Sequence, residues 1–384
     1  MPAQILRKIK NPIELIKIQA EENIDNIFSK ETTKKDIFGY MKETAMEVDA
    51  SIRKSLKQIE NSYLKEITSH LPLLRTDIKK GIPKTRSTLG RLIYESFCKE
   101  DWRNIIPILS FIELATISTY VLDDIIDEQP HREGQESTWK KYGINSGIIA
   151  GSLQAFLGNE LLHKTNLGDK NKIKILELMN NMWKILWIGE GENEVMKERT
   201  SLEKYLDRSY KIAGVMWDYV AQMNAITAET TLENIQLASE IGKNYGIAAM
   251  IRNDLMNVIP QNIIEIRGSK ALAKDSYEDV KKGLWTAPII YAMENSDDKT
   301  KEKLRQILGN KNAEDKELVG LTNILLNCEA INSTLDLITK YKNKTLNEIN
   351  RIEEIKPRKY LRQLANHLDN SRQYVKLYEQ IKTQ

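Results

Sequence analysis

Apolar residues recur along this chain every three to four positions, the spacing of one face of an α-helix. The pattern opens at Glu14-Leu15-Ile16-Lys17-Ile18 and is still present at Tyr374-Val375-Lys376-Leu377-Tyr378. Gly and Pro fall between the periodic segments, at Gly81-Ile82-Pro83, Pro130, Gly143, Pro260, Gly283, Pro288 and Pro357, and mark helix boundaries. There is no alternating strand pattern and no glycine-rich phosphate loop. The expectation is an all-α fold of about a dozen helices with a buried central pair. Residues 1–44 read as an N-terminal helical extension and 45–384 as one bundle domain. The extension opens on the basic, amphipathic Ile5-Leu6-Arg7-Lys8-Ile9-Lys10. One short basic helix binds membranes marginally, so docking on the body is its expected role.

One apolar segment, Ile105 to Leu122, ends in acid: Tyr120-Val121-Leu122-Asp123-Asp124-Ile125-Ile126-Asp127-Glu128, with Arg132 and Gly134 following. Asp123 and Asp127 stand four residues apart and share a helix face, with Asp124 beside them. Crowded carboxylates repel one another and attract divalent cations; hard oxygen donors suit Mg²⁺. An acidic metal site at the mouth of an apolar helical pocket fits a substrate with a diphosphate head and a hydrocarbon tail.

Composition narrows the classes. The 384 residues, 41% hydrophobic, allow a large core. A net charge of +3, from 57 basic and 54 acidic residues, does not point to nucleic acid. Two cysteines, Cys98 and Cys328, give no disulfide framework and suit a reducing compartment. No apolar run reads as a membrane span of about 18 residues, and no signal-peptide pattern opens the chain. A cytoplasmic protein is expected.

A second polar patch lies about 130 residues further on, in Tyr245-Gly246-Ile247-Ala248-Ala249-Met250-Ile251-Arg252-Asn253-Asp254-Leu255-Met256-Asn257-Val258. Lys274 follows, then Asp279-Val280-Lys281-Lys282-Gly283-Leu284-Trp285-Thr286-Ala287-Pro288. Order, spacing and flanks resemble the trans-isoprenyl diphosphate synthases over residues 45 to 350. That resemblance implies a helical bundle around a deep central cavity, two facing Asp-rich motifs, and an allylic prenyl diphosphate held through two or three Mg²⁺ ions. By the same resemblance Asp123, Asp124 and Asp127 form the first metal motif, and Asn253, Asp254 and Asn257 the second. Arg132, Lys211, Lys274 and Arg252 face the diphosphate, Asp279 is the acid after the second motif, and Asn193 takes the place of a glutamine. Thr119 and Ser118, the residues four and five before Asp123, set the depth available to the tail; both are small, so a C15–C20 or longer tail fits. Tyr120, with Trp183, Trp187 and Trp217, is a candidate ring for stabilising a carbocation. A homodimer is expected on the same ground.

The departures concentrate on the half of the site that takes isopentenyl diphosphate in elongating members. The Gly-Lys-x-x-Arg segment has altered spacing in Gly81-Ile82-Pro83-Lys84-Thr85-Arg86. A His or Gln is replaced by Thr116, and the second arginine of Arg-Arg-Gly by Glu133, a charge reversal. The threonine after Lys211 is Ile212. Asn253, Asn257 and Gln261 loosely resemble a cyclase metal triad, although Pro260 should end the helix before Gln261. The expectation is therefore a Mg²⁺-dependent terpene synthase that ionises a prenyl diphosphate. The alternatives are a prenyltransferase, which the Gly283-Leu284-Trp285-Thr286-Ala287-Pro288 stretch favours, and a non-catalytic partner subunit.

Overall fold

The computed structural model describes residues 36–75, 84–132, 135–195, 200–260 and 276–382. The segment 1–35, Gly81-Ile82-Pro83, Glu133, Gly134, Gln261 and Lys274 lie outside the described residues. The first helix, α1 (Ile37–Leu56), is capped by Asp36 and runs unbroken through position 44, the expected domain boundary. Then come α2 (Ser62–Arg75), α3 (Thr85–Phe97) and α4 (Ile106–Ile126). After a two-stranded hairpin follow α5 (Thr138–Tyr142), α6 (Ile144–His163), α7 (Asp169–Val195) and α8 (Leu202–Ser209). A π-helical turn, Tyr210–Gly214, leads into α9 (Val215–Thr227) and α10 (Leu232–Asn257). The rest is α11 (Glu278–Lys281), α12 (Ala287–Asn295), α13 (Asp298–Ile307), α14 (Asp315–Asn327), α15 (Ala330–Ile349), α16 (Ile355–Asn366) and α17 (Ser371–Lys382).

The described residues form an all-α bundle, the architecture that the isoprenoid-synthase resemblance implies, with more helices than the dozen expected. The surplus comes from pieces such as α5 and α11, too short to show a period. Two of the anticipated breaks are in place: α10 stops at Asn257, ahead of Pro260, and Pro288 opens α12, whereas Pro357 falls in the first turn of α16. The strands His131–Arg132 and Gln135–Glu136, which were not anticipated, pair antiparallel. Two residues each cannot carry an alternation.

α4 lies along α6, α9 along α10, and α10 along α15. Close approach of α9 to α10 needs Gly242, where a Cβ would stand 2.3 Å from the Trp217 carbonyl oxygen. Membrane-span expectations need one correction. The stretch Trp102–Ile126 is long and apolar enough to cross a bilayer, but 78% of its most apolar window is buried by the rest of the chain. Here its apolarity serves a core helix.

Candidate active site

The carboxyl-terminal ends of α4 and α10 border one cavity of about 320 Å³, within the size of small-molecule sites. Its acidic end is formed by Asp123, Asp127, Asp254 and Asp279, its apolar wall by Leu186, Trp187, Met216 and Met250. Asp124 is buried at 1% exposure. The hairpin after α4 returns Arg132 onto this cluster. Its Nε donates to Asp124 Oδ1 at 2.8 Å, and a terminal nitrogen reaches Asp123 at 3.3 Å. Burial opposes the charge on Arg132, yet Asp124 and Asp123 together hold its pKa above the ordinary arginine value. The guanidinium also sits 4.9 Å from the Tyr120 ring centre. At the other end of the motif Lys282 Nζ meets Asp127 Oδ1 at 2.5 Å.

The second motif is anchored from within. Asp254 accepts from the buried Tyr205 hydroxyl at 2.6 Å, and burial together with this carboxylate pushes the phenol pKa well up. The side-chain oxygen of Asn257 accepts from the Asp279 backbone N–H at 3.1 Å, so this amide holds the start of α11. Asn253 is exposed at the cavity. The donor set is entirely hard oxygen, which fits Mg²⁺, an ion that keeps several waters and takes one or two carboxylates plus substrate phosphates. Among the described residues no three acids, cysteines or histidines converge as a ready-made metal cage.

The remaining expected residues divide. Thr119, Tyr120, Asn193 and Arg252 line the cavity. Ser118 does not: its hydroxyl donates to the Gly151 carbonyl on α6 at 2.6 Å. Lys211, on the π-helical turn, is bound by Glu192 at 2.8 Å and Asp207 at 2.8 Å, and these two acids raise its pKa. It is not part of the cavity wall, which its neighbours Ile212 and Ala213 reach. Gly189 permits that packing; a Cβ there would stand 2.7 Å from Lys211 Cβ. Of the tryptophans, Trp187 lines the cavity and Trp183 stacks behind it at 6.0 Å. Trp217 is core, and its ring is covered by Arg86 at 4.9 Å.

On the side expected to be altered, Lys84 is wholly buried between Asp49 at 3.0 Å and Glu113 at 3.4 Å. The Thr116 hydroxyl turns back onto the Ile112 carbonyl. Arg86, two residues on, does reach the cavity and donates to the Tyr120 hydroxyl at 2.5 Å. Arg252 enters from α10 beside Tyr245, and burial lowers its pKa. Neither Arg86 nor Arg252 makes an ion pair among the described residues. Sequence reasoning missed Lys282 and the cavity-lining Arg208, which donates to the Trp285 carbonyl at 2.9 Å. The only signal for Lys282 was charge parity, since clustered aspartates need cations.

The described residues thus form an all-α bundle around an acid-lipped, apolar-walled cavity, a lining whose chemistry suits an anion with a hydrocarbon tail. The polyprenyl synthetase family model matches residues 74–325, and the chain belongs to that family. It is 26% identical over 228 residues to a short chain isoprenyl diphosphate synthase of Methanocaldococcus jannaschii, covering 59% of this chain and 67% of that protein. It is 25% identical over 330 residues to a geranylgeranyl pyrophosphate synthase of Geoglobus acetivorans, covering 85% and 97%. In fold it is similar to the geranylgeranyl pyrophosphate synthetase of Pyrococcus horikoshii, with a TM-score of 0.76 at 23% identity over 87% of this chain and 98% of that one. These names favour prenyl transfer over the terpene synthase expected from the sequence.

Proposed function

We propose that the chain is a prenyltransferase that joins an allylic prenyl diphosphate to isopentenyl diphosphate. The observation that carries this reading is the distribution of cations on the cavity wall. Arg132 and Lys282 sit on the first-motif carboxylates, whereas Arg86 and Arg252 line the same cavity without an ion pair among the described residues. One locus takes a diphosphate through a metal and the other takes a second diphosphate directly; a cyclase needs only the first.

Mg²⁺, expected as two or three ions at Asp123, Asp124, Asp127, Asn253 and Asp254, would supply the positive charge that lets the diphosphate leave. Arg132 adds to that charge. The allylic carbon–oxygen bond breaks with its electron pair on the diphosphate. The acceptor double bond then forms the new carbon–carbon bond, and the acceptor loses a proton to the departing diphosphate. Leu186, Trp187, Met216 and Met250 exclude water from the cation, and the Trp187 face stabilises it. A second copy of the chain is the proposed partner. Ile144, Ile148, Ile149 and Phe156 leave an apolar face on α6, with Phe156 65% exposed. The two free cysteines suit a cytoplasmic setting.

The terpene-synthase reading keeps one supporting observation. Lys84 and Thr116, at two positions of the expected acceptor pocket, are engaged elsewhere. The test offers geranyl, farnesyl and geranylgeranyl diphosphates singly to the purified chain with Mg²⁺, with and without isopentenyl diphosphate. A longer diphosphate formed only with isopentenyl diphosphate, and lost in Asp123→Ala, is the expected result. A hydrocarbon or alcohol formed without it would replace this reading by the terpene synthase. No turnover of any substrate by the lone chain would point to a partner subunit.

A further inference from the structure

Among the described residues two cations of different origin meet the first acidic motif. Arg132 arrives from the hairpin that directly follows α4. Lys282 arrives from 155 positions away. It caps α11, a four-residue helix fastened to the end of α10. Asn257 makes that fastening twice, its backbone oxygen accepting from Tyr277 N–H at 2.6 Å and its side chain from Asp279 N–H at 3.1 Å. Directly behind Lys282 the chain turns at Gly283, with φ of +78°, a conformation natural to glycine. Lys282 thus spans the cavity mouth from the α10 side to Asp127 on the α4 side. Both side chains keep some access to water, at 25% and 15% exposure.

We propose that Lys282 is an exchangeable strap. It neutralises Asp127 in the free protein, yields that carboxylate to a divalent cation, and then donates to the diphosphate that arrives with the metal. This inference rests on the metal and diphosphate reading above. The reason is electrostatic. An ammonium held against Asp127 repels a divalent cation approaching the same carboxylate, so the metal alone binds weakly. A diphosphate gives the ammonium a new partner and removes the repulsion. Each ligand therefore strengthens the other through Lys282, and the coupling is reciprocal. The pair is part-exposed and contributes little to stability, so its removal leaves the fold intact.

The test is calorimetric, on the full chain, with MgCl₂ alone and with inorganic pyrophosphate at saturating Mg²⁺. Lys282→Met is expected to bind Mg²⁺ alone about tenfold more tightly than the unsubstituted chain. It is expected to bind pyrophosphate about tenfold more weakly. The gain in Mg²⁺ affinity should vanish in Lys282→Met/Asp127→Asn, because it requires the Asp127 carboxylate as a metal ligand. If the unsubstituted chain binds both ligands and Lys282→Met moves neither affinity, or weakens both, the strap is overturned and the site reading stands. If the unsubstituted chain retains no pyrophosphate at saturating Mg²⁺, the site reading fails and takes the strap with it.

Discussion

Lys84 and Arg86 are two residues apart, and their environments assign them opposite kinds of work. Lys84 has no exposed side-chain surface and lies between two buried carboxylates, Asp49 and Glu113. Ser87 adds a hydrogen bond to Glu113 at 3.2 Å. Lys84→Met would take from both buried acids the ammonium they share, a change that costs about 3–5 kcal/mol. Arg86 has no ion pair among the described residues; Arg86→Met loses a hydrogen bond and ring contacts but also relieves a part-buried charge. Its net effect on stability is expected within about 1 kcal/mol. On catalysis the order reverses. Arg86→Met should lower kcat/KM about 100-fold, mainly through KM for isopentenyl diphosphate.

Acidity sharpens the test. Burial raises the pKa of Asp49 above 3.8, and Lys84 opposes that rise. A carboxyl with a raised folded-state pKa contributes stability that is fully present below its unfolded value and is lost as pH rises through its folded value. Removing Lys84 lifts the Asp49 pKa further, so the penalty of Lys84→Met should grow between pH 5 and pH 7.5. Urea unfolding followed by circular dichroism at both pH values measures it. A cost for Lys84→Met below about 1 kcal/mol, or one independent of pH, would refute the reasoning, because no buried carboxylate would then depend on that lysine. An Arg86→Met variant with unchanged KM would remove the guanidinium locus from the proposed function.

Two further outcomes follow from packing. Gly189→Ala should cost about 1–3 kcal/mol, because its Cβ would be driven against Lys211 Cβ on the π-helical turn; thermal unfolding reads the loss. If the proposed dimer forms through α6, Phe156→Asp should convert it to a monomer in analytical ultracentrifugation with little change in secondary structure, since Phe156 is 65% exposed.

What the sequence revealed depended on distance along the chain. The first acidic motif and Arg132 were legible because one helix and its adjoining hairpin bring them together, so spacing alone implies proximity. Lys282 gave no such signal. It stands in a Lys-Lys pair resembling any solvated helix end, and only the packing of α11 on α10 carries it to Asp127. Lys211 and Asn257 illustrate a second limit. Motif position proposed ligands, whereas the local partners Glu192, Asp207 and the Asp279 backbone occupy these side chains in the free protein.

Rotation about a helix axis sets a third limit. Ser118 and Thr119 are adjacent in sequence, but one step along a helix turns a side chain by about 100°. Thr119 therefore reaches the cavity with Tyr120 and Asp123, while Ser118 is directed onto Gly151 of α6. Trp217 follows the same rule from α9, where its ring supports Arg86 and not the hydrocarbon wall. Under the proposed function, Thr119 is thus the one of the two small residues expected to limit tail length. A bulky side chain at 119 shortens the cavity directly, whereas one at 118 must first separate α4 from α6.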